Sequence, residues 1–418
     1  MDFEDTPEEA EFRRKAHEWL AANARVRQGA PEAFDEDELS SLEASKAWQA
    51  LKADAGWACL GWPKEYGGQG ATPVQSLIWT QEQDKFHVPP NVFHIGHAQA
   101  GPTIIRYGTA EQKAQWLPGM IRGEHVWCQL FSEPDAGSDL AAVRTRARLD
   151  SDGTWRVNGQ KTWTSGAQVA DWAILLARTD PNVPKHQGLT YFVVDMKAPG
   201  IEVRPVKQIW DDSDFCEVFL NDVPVPDEHR IGPVGSGWSV AMTTLNFERG
   251  AVSASTPGPA GEKLPCADDL LSLAKNVVAD ATSRGAPRDA ALEQKIADLY
   301  VTWKGLEFTA YRMMTAIHHG EEPGGESVIG KLIEGRLQQQ AGALALDLLV
   351  EGGHLADEKQ LAAFRRWEHS YLVAPAIRIA GGTDEIMKNI IAERILGLPP
   401  EPRTDKNLAF SELKSAIR

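Results

Sequence analysis

The stretch Phe131-Ser132-Glu133-Pro134-Asp135-Ala136-Gly137-Ser138-Asp139, followed further along by Lys161-Thr162-Trp163-Thr164-Ser165-Gly166, decides how this chain is read. Each segment sets a hydroxyl next to a glycine, and the second adds a large aromatic plane. Runs of strand-like character surround both. A flat, redox-active ring needs such surroundings: a face to lie against and short hydrogen-bonding groups along its edge. Trp163 taken alone is better explained as a core aromatic, and the serines as turn residues. The two segments together favour a ring site.

Outward from these segments the chain changes character twice. Residues 126 to 235 hold short runs rich in β-branched and aromatic residues, among them Ala173-Ile174-Leu175-Leu176 and Tyr191-Phe192-Val193-Val194. Asp150-Ser151-Asp152-Gly153 predicts a hairpin turn, and the prolines of Glu217–Pro226 predict the end of the sheet. Residues 1 to 125 read as helical, with Phe12, Ala16 and Leu20 at helical spacing and a Thr109 cap after Gly108. From 236 to 418 the pattern is helical again. Stretches 289–319 and 325–350 carry apolar residues three and four apart, as in a bundle. The prediction is an α+β chain: an N-terminal helical domain (1–125), a central β-barrel-like domain (126–235) and a C-terminal four-helix bundle (236–418).

The chain has 418 residues, 42% hydrophobic and 24% charged, with a formal net charge of −16. An acidic surface repels phosphate backbones and anionic lipid, which argues against nucleic acid and membrane as partners. No apolar run is long enough to span a bilayer, and the N-terminus lacks a signal pattern. Cys59, Cys128, Cys216 and Cys266 lie far apart without a paired motif, which suits a reducing, cytoplasmic setting. His94, His97, His318, His319 and His354 form no strong ligand pattern, so no metal is expected. No nucleophile elbow, dinucleotide fingerprint or P-loop is present.

The Ser-Glu-Pro-x-Ala-Gly-Ser-Asp and Lys-x-Trp segments resemble the flavin-binding strands of the acyl-CoA dehydrogenase family, and the order helical, β, helical resembles it over nearly the whole chain. The resemblance implies FAD as cofactor. Phe131, Ser132, Gly137 and Ser138 would line one ring edge, Trp163 would stack, and Ser165 would reach the N5 side. Thr383 and Glu385, in Ala380-Gly381-Gly382-Thr383-Asp384-Glu385, would open a helix at the FAD pyrophosphate and ribose, with both acidic side chains turned toward hydroxyls. Arg284 best matches a position that contacts the ADP half from a neighbouring subunit, but the Phe of that motif is missing. Leu349-Val350-Glu351-Gly352-Gly353 keeps the glycines of a second such motif and lacks its Gln.

The family reaction is α,β-desaturation of an acyl-CoA thioester, with a carboxylate taking the α-proton in a dry pocket. Many members carry that Glu just before the Gly-Thr of the C-terminal segment, where this chain has Gly381. A smaller set carries it on an earlier helix, matching Glu248 here, followed by Arg249 near the substrate. The structural alternative for both is a solvated helix face. With Ala380 and Gly381 in place of larger groups and the Pro/Gly loop following Gly250, the pocket wall beside the flavin is expected to be open. That points to a bulky, branched or ring-bearing acyl group, with Ser138 and Gly381 among the substrate-binding residues. The resemblance implies electron-transfer flavoprotein as acceptor and a homodimer, homotetramer or heterotetramer with a second such chain. Two rival readings remain: an O₂-reactive flavin oxidase or monooxygenase of the same fold, and an FAD-holding partner subunit without its own catalysis.

Overall fold

The computed structural model describes residues 5–26, 41–252, 264–283, 285, 289–318, 325–351, 358–402 and 405–413. In chain order the helices are α1 (Pro7–Asn23), α2 (Leu42–Asp54), α3 (Pro73–Gln83), α4 (Gly101–Tyr107), α5 (Ala110–Ile121), α6 (Gly237–Val252), α7 (Ala267–Ser283), α8 (Ala290–His318), α9 (Glu326–Glu351), α10 (Glu358–Ile379) and α11 (Asp384–Ile390). Two-residue strands β1 (Arg25–Val26) and β2 (Phe86–His87) pair with each other. The main sheet contains β3 (Trp127–Leu130), β4 (Arg146–Leu149), β5 (Thr154–Ser165), β6 (Trp172–Arg178), β7 (Leu189–Asp195), β8 (Ile201–Val206), β9 (Phe215–Pro226) and β10 (Arg230–Ile231). Its order is β10-β7-β6-β4-β5-β9-β8, with β3 alongside β6 in parallel.

The chain divides into two compact units. One comprises Met1–Phe34, Pro73–His87 and Val252–Pro399; the other comprises Asp35–Thr72, Val88–Ala251 and Pro400–Arg418. The second unit carries the sheet. Along β6, Ala173, Leu175 and Ala177 pack with Trp155, Val157 and Val218, while Ile174 and Leu176 pack with Ile104, Trp116, Met120 and Val240. A strand buried on both faces reads as one continuous apolar run, which is why β6 was legible as a strand. The predicted turn at 150–153 joins β4 to β5, with the Asp150 N–H donating to the Thr154 carbonyl at 2.9 Å. Thr109 caps α5 in a reciprocal capping box with Gln112.

In the first unit, α7 to α10 pack through Leu270, Ala274, Ile296, Ala341, Ala345, Leu348 and Trp367. Helices α1 and α3 join them. Arg13, His17 and Lys85 converge on the buried Glu82 carboxylate at 3.0, 3.0 and 2.7 Å.

Candidate active site

Strand β3 ends at Leu130 and delivers Phe131 and Ser132 beside the C-terminal half of β5. The Thr162 N–H donates to the Ser132 carbonyl at 3.0 Å. Lys161, fully buried, donates from Nζ to the Phe131 carbonyl, the Leu176 carbonyl and Glu133 Oε1, each at 2.9 Å. Glu133 also accepts from the backbone N–H of Arg144 at 2.6 Å and of Thr145 at 2.8 Å. Burial would raise the Glu133 pKa, yet the Lys161 ammonium and those donors hold it below the usual carboxylate range, so it stays ionised. A buried ion pair thus bolts the two quoted segments together.

At Trp163 the backbone enters the left-handed region, with φ 58°. The β5–β9 register slips between Lys161 and Thr164, and this bulge turns the indole outward. Trp163 is 63% exposed, edge-on to Phe215 with ring centroids 6.0 Å apart. A non-glycine residue held in this backbone costs on the order of 1–3 kcal/mol, and such strain persists where a site uses it. Ser165 and Ser132 are half-buried, and Gly137 and Ser138 are exposed. A Cβ on Gly137 would meet nothing within 4 Å. Phe131 is buried edge-on against Tyr191. An open indole plane, three nearby-in-chain hydroxyls and an unobstructed glycine suit a flat ring with polar edges, so the residues present fit a flavin.

The same unit contains α6. The Thr244 hydroxyl lies 2.9 Å from that of Thr103 and 3.1 Å from that of Tyr191, while Thr243 meets Tyr107 at 2.9 Å. These contacts seat α6 on α4 and β7. Glu248, one turn past Thr244, is half-buried with Oε2 shielded from solvent. The side chain of Arg249 lies outside the described residues.

In the other unit, the Thr383 hydroxyl accepts the Ile386 N–H at 3.2 Å, capping α11. Gly381 and Gly382 precede it with φ of 63° and 110°. Glu385 is exposed. Asp384 does not turn toward a ligand hydroxyl as expected. It is 2% exposed, with Oδ2 receiving Arg336 at 3.0 Å and Arg378 at 2.8 Å. Burial opposes its charge, and the two guanidiniums overcome that and hold its pKa down. Arg284, Gly352 and Gly353 lie outside the described residues. Among the described residues no group of three or more His, Cys, Asp or Glu is placed to hold a metal, and no helix is long and apolar enough to cross a membrane.

The sequence reading overlooked Glu133 and Lys161 as a pair. The signal was present: Val157, Gly159 and Lys161 alternate along β5, so Lys161 faces inward with Val157 and needs a counter-charge.

Family models match almost end to end: the acyl-CoA dehydrogenase N-terminal domain over residues 6–124, the middle domain over 128–223 and the C-terminal domain over 235–396. Acyl-CoA dehydrogenase IpdE1 of Mycobacterium tuberculosis is 36% identical over 396 residues, 94% of this chain and 98% of its own. Acyl-CoA dehydrogenase FadE34 of the same organism is 40% identical over 365 residues, 87% of this chain and 47% of its own. Among solved structures, the Tcur3481-Tcur3483 steroid ACAD superposes with a TM-score of 0.78 at 26% identity, over 96% of this chain and 100% of that one. The ChsE4-ChsE5 complex from Mycobacterium tuberculosis superposes with a TM-score of 0.75 at 29% identity, again over 96% and 100%.

Proposed function

Because the chain belongs to the acyl-CoA dehydrogenase family of oxidoreductases, we propose that it binds FAD against Trp163 and desaturates an acyl-CoA thioester with Glu248 as the base. Trp163 carries this reading: a strained backbone holds a large indole in solvent, which costs stability unless a flat ligand covers it. FAD, when bound, supplies the acceptor for the hydride that leaves the substrate Cβ. The protein's own part is positional. Ser132, Ser138 and Ser165 offer hydroxyl donors at the ring edge, and donors aimed at arriving negative charge lower the barrier. The Glu133–Lys161 pair fixes the distance between the segments that bear them.

Glu248 takes the α-proton as the Cα–H bond breaks, and its shielded Oε2 suits a base working away from water. Gly381, at the other position where a base could stand, has no side chain. The missing side chain at Gly381 and the exposure of Ser138 are each compatible with a bulky or ring-bearing acyl group, and the word steroid in the name of one matched structure points the same way. Both matched structures are named for two chains. Together with the missing Phe after Arg284 and the missing Gln before Gly352, this favours a heterotetramer in which a second chain completes the contacts to the ADP half. Electron-transfer flavoprotein is the proposed acceptor, in the cytoplasm, where the four free thiols would stay reduced.

An acyl-CoA panel monitored anaerobically at the flavin absorbance tests the reading. Glu248→Gln should keep its flavin and reduce it more than about 100-fold more slowly, the usual size of a general-base contribution. Equal rates in variant and parent would overturn the assignment of Glu248.

A further inference from the structure

Helix α6 meets the apolar interior of the sheet unit along one stripe. Val240, Ala241 and Thr244 on it are buried, and Leu245 packs against the same cluster. Glu248 continues the stripe one turn on from Thr244, since residues four apart share a helix face. Among the described residues Thr244 is the last buried side chain of α6, and beyond it the helix runs on with partly buried or exposed ones. A helix end with few buried contacts opens most easily. Thr244 is therefore the last fixed point before the carboxylate.

What fixes it is polar. The Thr244 hydroxyl lies 2.9 Å from that of Thr103 in α4 and 3.1 Å from that of Tyr191 in β7. Thr244 also donates to the Val240 carbonyl at 3.2 Å, and Thr103 to the Gln99 carbonyl at 2.8 Å. All three hydroxyl-bearing side chains are 0% exposed. Carbonyls can only accept, so the threonine protons have acceptors without Tyr191, and the phenol is the donor that ties them to β7. Burial pushes that phenol well above its usual value, against the hydrogen bonds of both threonines, so it stays protonated. Hydroxyls in an otherwise apolar cluster carry a desolvation cost that valine and phenylalanine in the same places would avoid. Apolar contacts let a helix end shift and repack, whereas hydrogen bonds hold its register.

Tyr191 also faces the ring site. Its ring lies edge-on to Phe131, with centroids 5.8 Å apart and planes at 85°. The Phe131 carbonyl accepts from Lys161, whose strand carries Trp163 and Ser165. One side chain thus touches the flavin-edge segment through its ring and the helix that bears Glu248 through its oxygen. Proton and hydride leave adjacent carbons of the substrate, so base and acceptor must keep a fixed spacing. A displacement of about 1 Å can cost roughly 100-fold in rate.

We propose that Tyr191 is a positioning residue for the desaturation: its hydroxyl, through Thr244, holds Glu248 at the substrate α-carbon while its ring holds Phe131 at the flavin edge. This rests on Glu248 being the base. Thr103 supports the same hydroxyl of Thr244 from α4.

Tyr191→Phe removes the oxygen alone, keeps a ring against Phe131 and leaves no hydroxyl proton without an acceptor, so the fold should survive. It is compared with the parent as flavin-loaded enzyme, using the ester that reduces the flavin fastest in the panel above, deuterated at Cα or at Cβ. Flavin reduction should slow about 10–100-fold, with the isotope effect rising more at Cα than at Cβ and the Kd for FAD unchanged. Without substrate, backbone hydrogen exchange over residues 245–250 should quicken several-fold. Thr244→Val should reproduce these changes and Thr244→Ser should escape most of them. Tyr191→Phe combined with Thr244→Val should cost no more than either alone, because both cut the same link. Unchanged reduction or unchanged exchange would overturn the proposal. A parallel loss of FAD affinity, or isotope effects that rise equally, would make Tyr191 merely structural. Glu248→Gln separates the two readings. If it reduces flavin as fast as the parent, the base assignment has failed, whereas a slow Glu248→Gln beside an unaltered Tyr191→Phe fails the positioning alone.

Discussion

At Trp163 the protein accepts local strain in exchange for an exposed aromatic plane. Trp163→Gly removes both, since glycine occupies a φ of 58° freely. The apoprotein should therefore unfold at a slightly higher temperature, by about 1 kcal/mol of stability, while FAD affinity falls. Thermal unfolding with and without FAD, together with flavin fluorescence titration, would show the two effects moving in opposite directions. Lys161→Met tests the bolt behind the indole. It leaves Glu133 charged and buried, and the cost should be about 3–5 kcal/mol in urea unfolding, with much of it recovered in the double change with Glu133→Gln. The sequence pointed to Trp163 as a candidate ring platform because hydroxyls and glycines recur around it. It did not reveal the outward turn of the indole, because a bulge depends on the partner strand β9 and leaves no mark on β5 alone.

Regular elements were legible because periodicity marks them. The helical spacing over 289–319 and 325–350 matches α8 and α9 to within a residue or so at each end, and Thr109 announced α5. Segments held by irregular contacts were not legible, and the clearest is Asp405–Leu413. It packs on the sheet unit, with the Phe410 N–H donating to the Val183 carbonyl at 2.9 Å and the Ser411 N–H to the Pro181 carbonyl at 2.8 Å. The Phe410 ring covers Arg178 at 3.5 Å, and Arg178 in turn donates to the carbonyls of Ala141, Val143 and Lys185. Burial pushes that guanidinium down to about 10, leaving it charged at neutral pH. Lys185 reaches Asp139 at 2.8 Å and Asp405 at 3.5 Å. The strap therefore clamps residues 139–143, immediately after Ser138. Phe410→Ala should speed backbone hydrogen exchange over 139–143 and shorten FAD residence several-fold, the cation–π contact being worth about 0.5–2 kcal/mol. Phe410→Trp should restore both, and exchange mass spectrometry would reveal an unchanged loop if the strap were idle.

For the molecule as a whole, one unit is assembled from three separate stretches of chain, and Glu82 holds two of its helices, α1 and α3, together. Burial opposes the Glu82 charge, but Lys85, Arg13 and His17 outweigh it and hold the pKa below its usual 4.5. A carboxyl with a depressed folded pKa contributes stability that is present above its unfolded value and lost as pH falls through the folded one. The acid limb below about pH 4.5 should thus steepen with Glu82 in place. Glu82→Gln should flatten that limb and lose about 1–3 kcal/mol at neutral pH, measured by urea unfolding across pH. No local spacing encodes this arrangement, since Arg13 and Glu82 meet across 69 positions of chain. The strap has a parallel consequence for biosynthesis. A ribosome releases the sheet strands early, but Arg178 gains its aromatic cover only once Phe410 has left the exit tunnel, so a nascent chain waits with that guanidinium open to whatever chaperone is at hand.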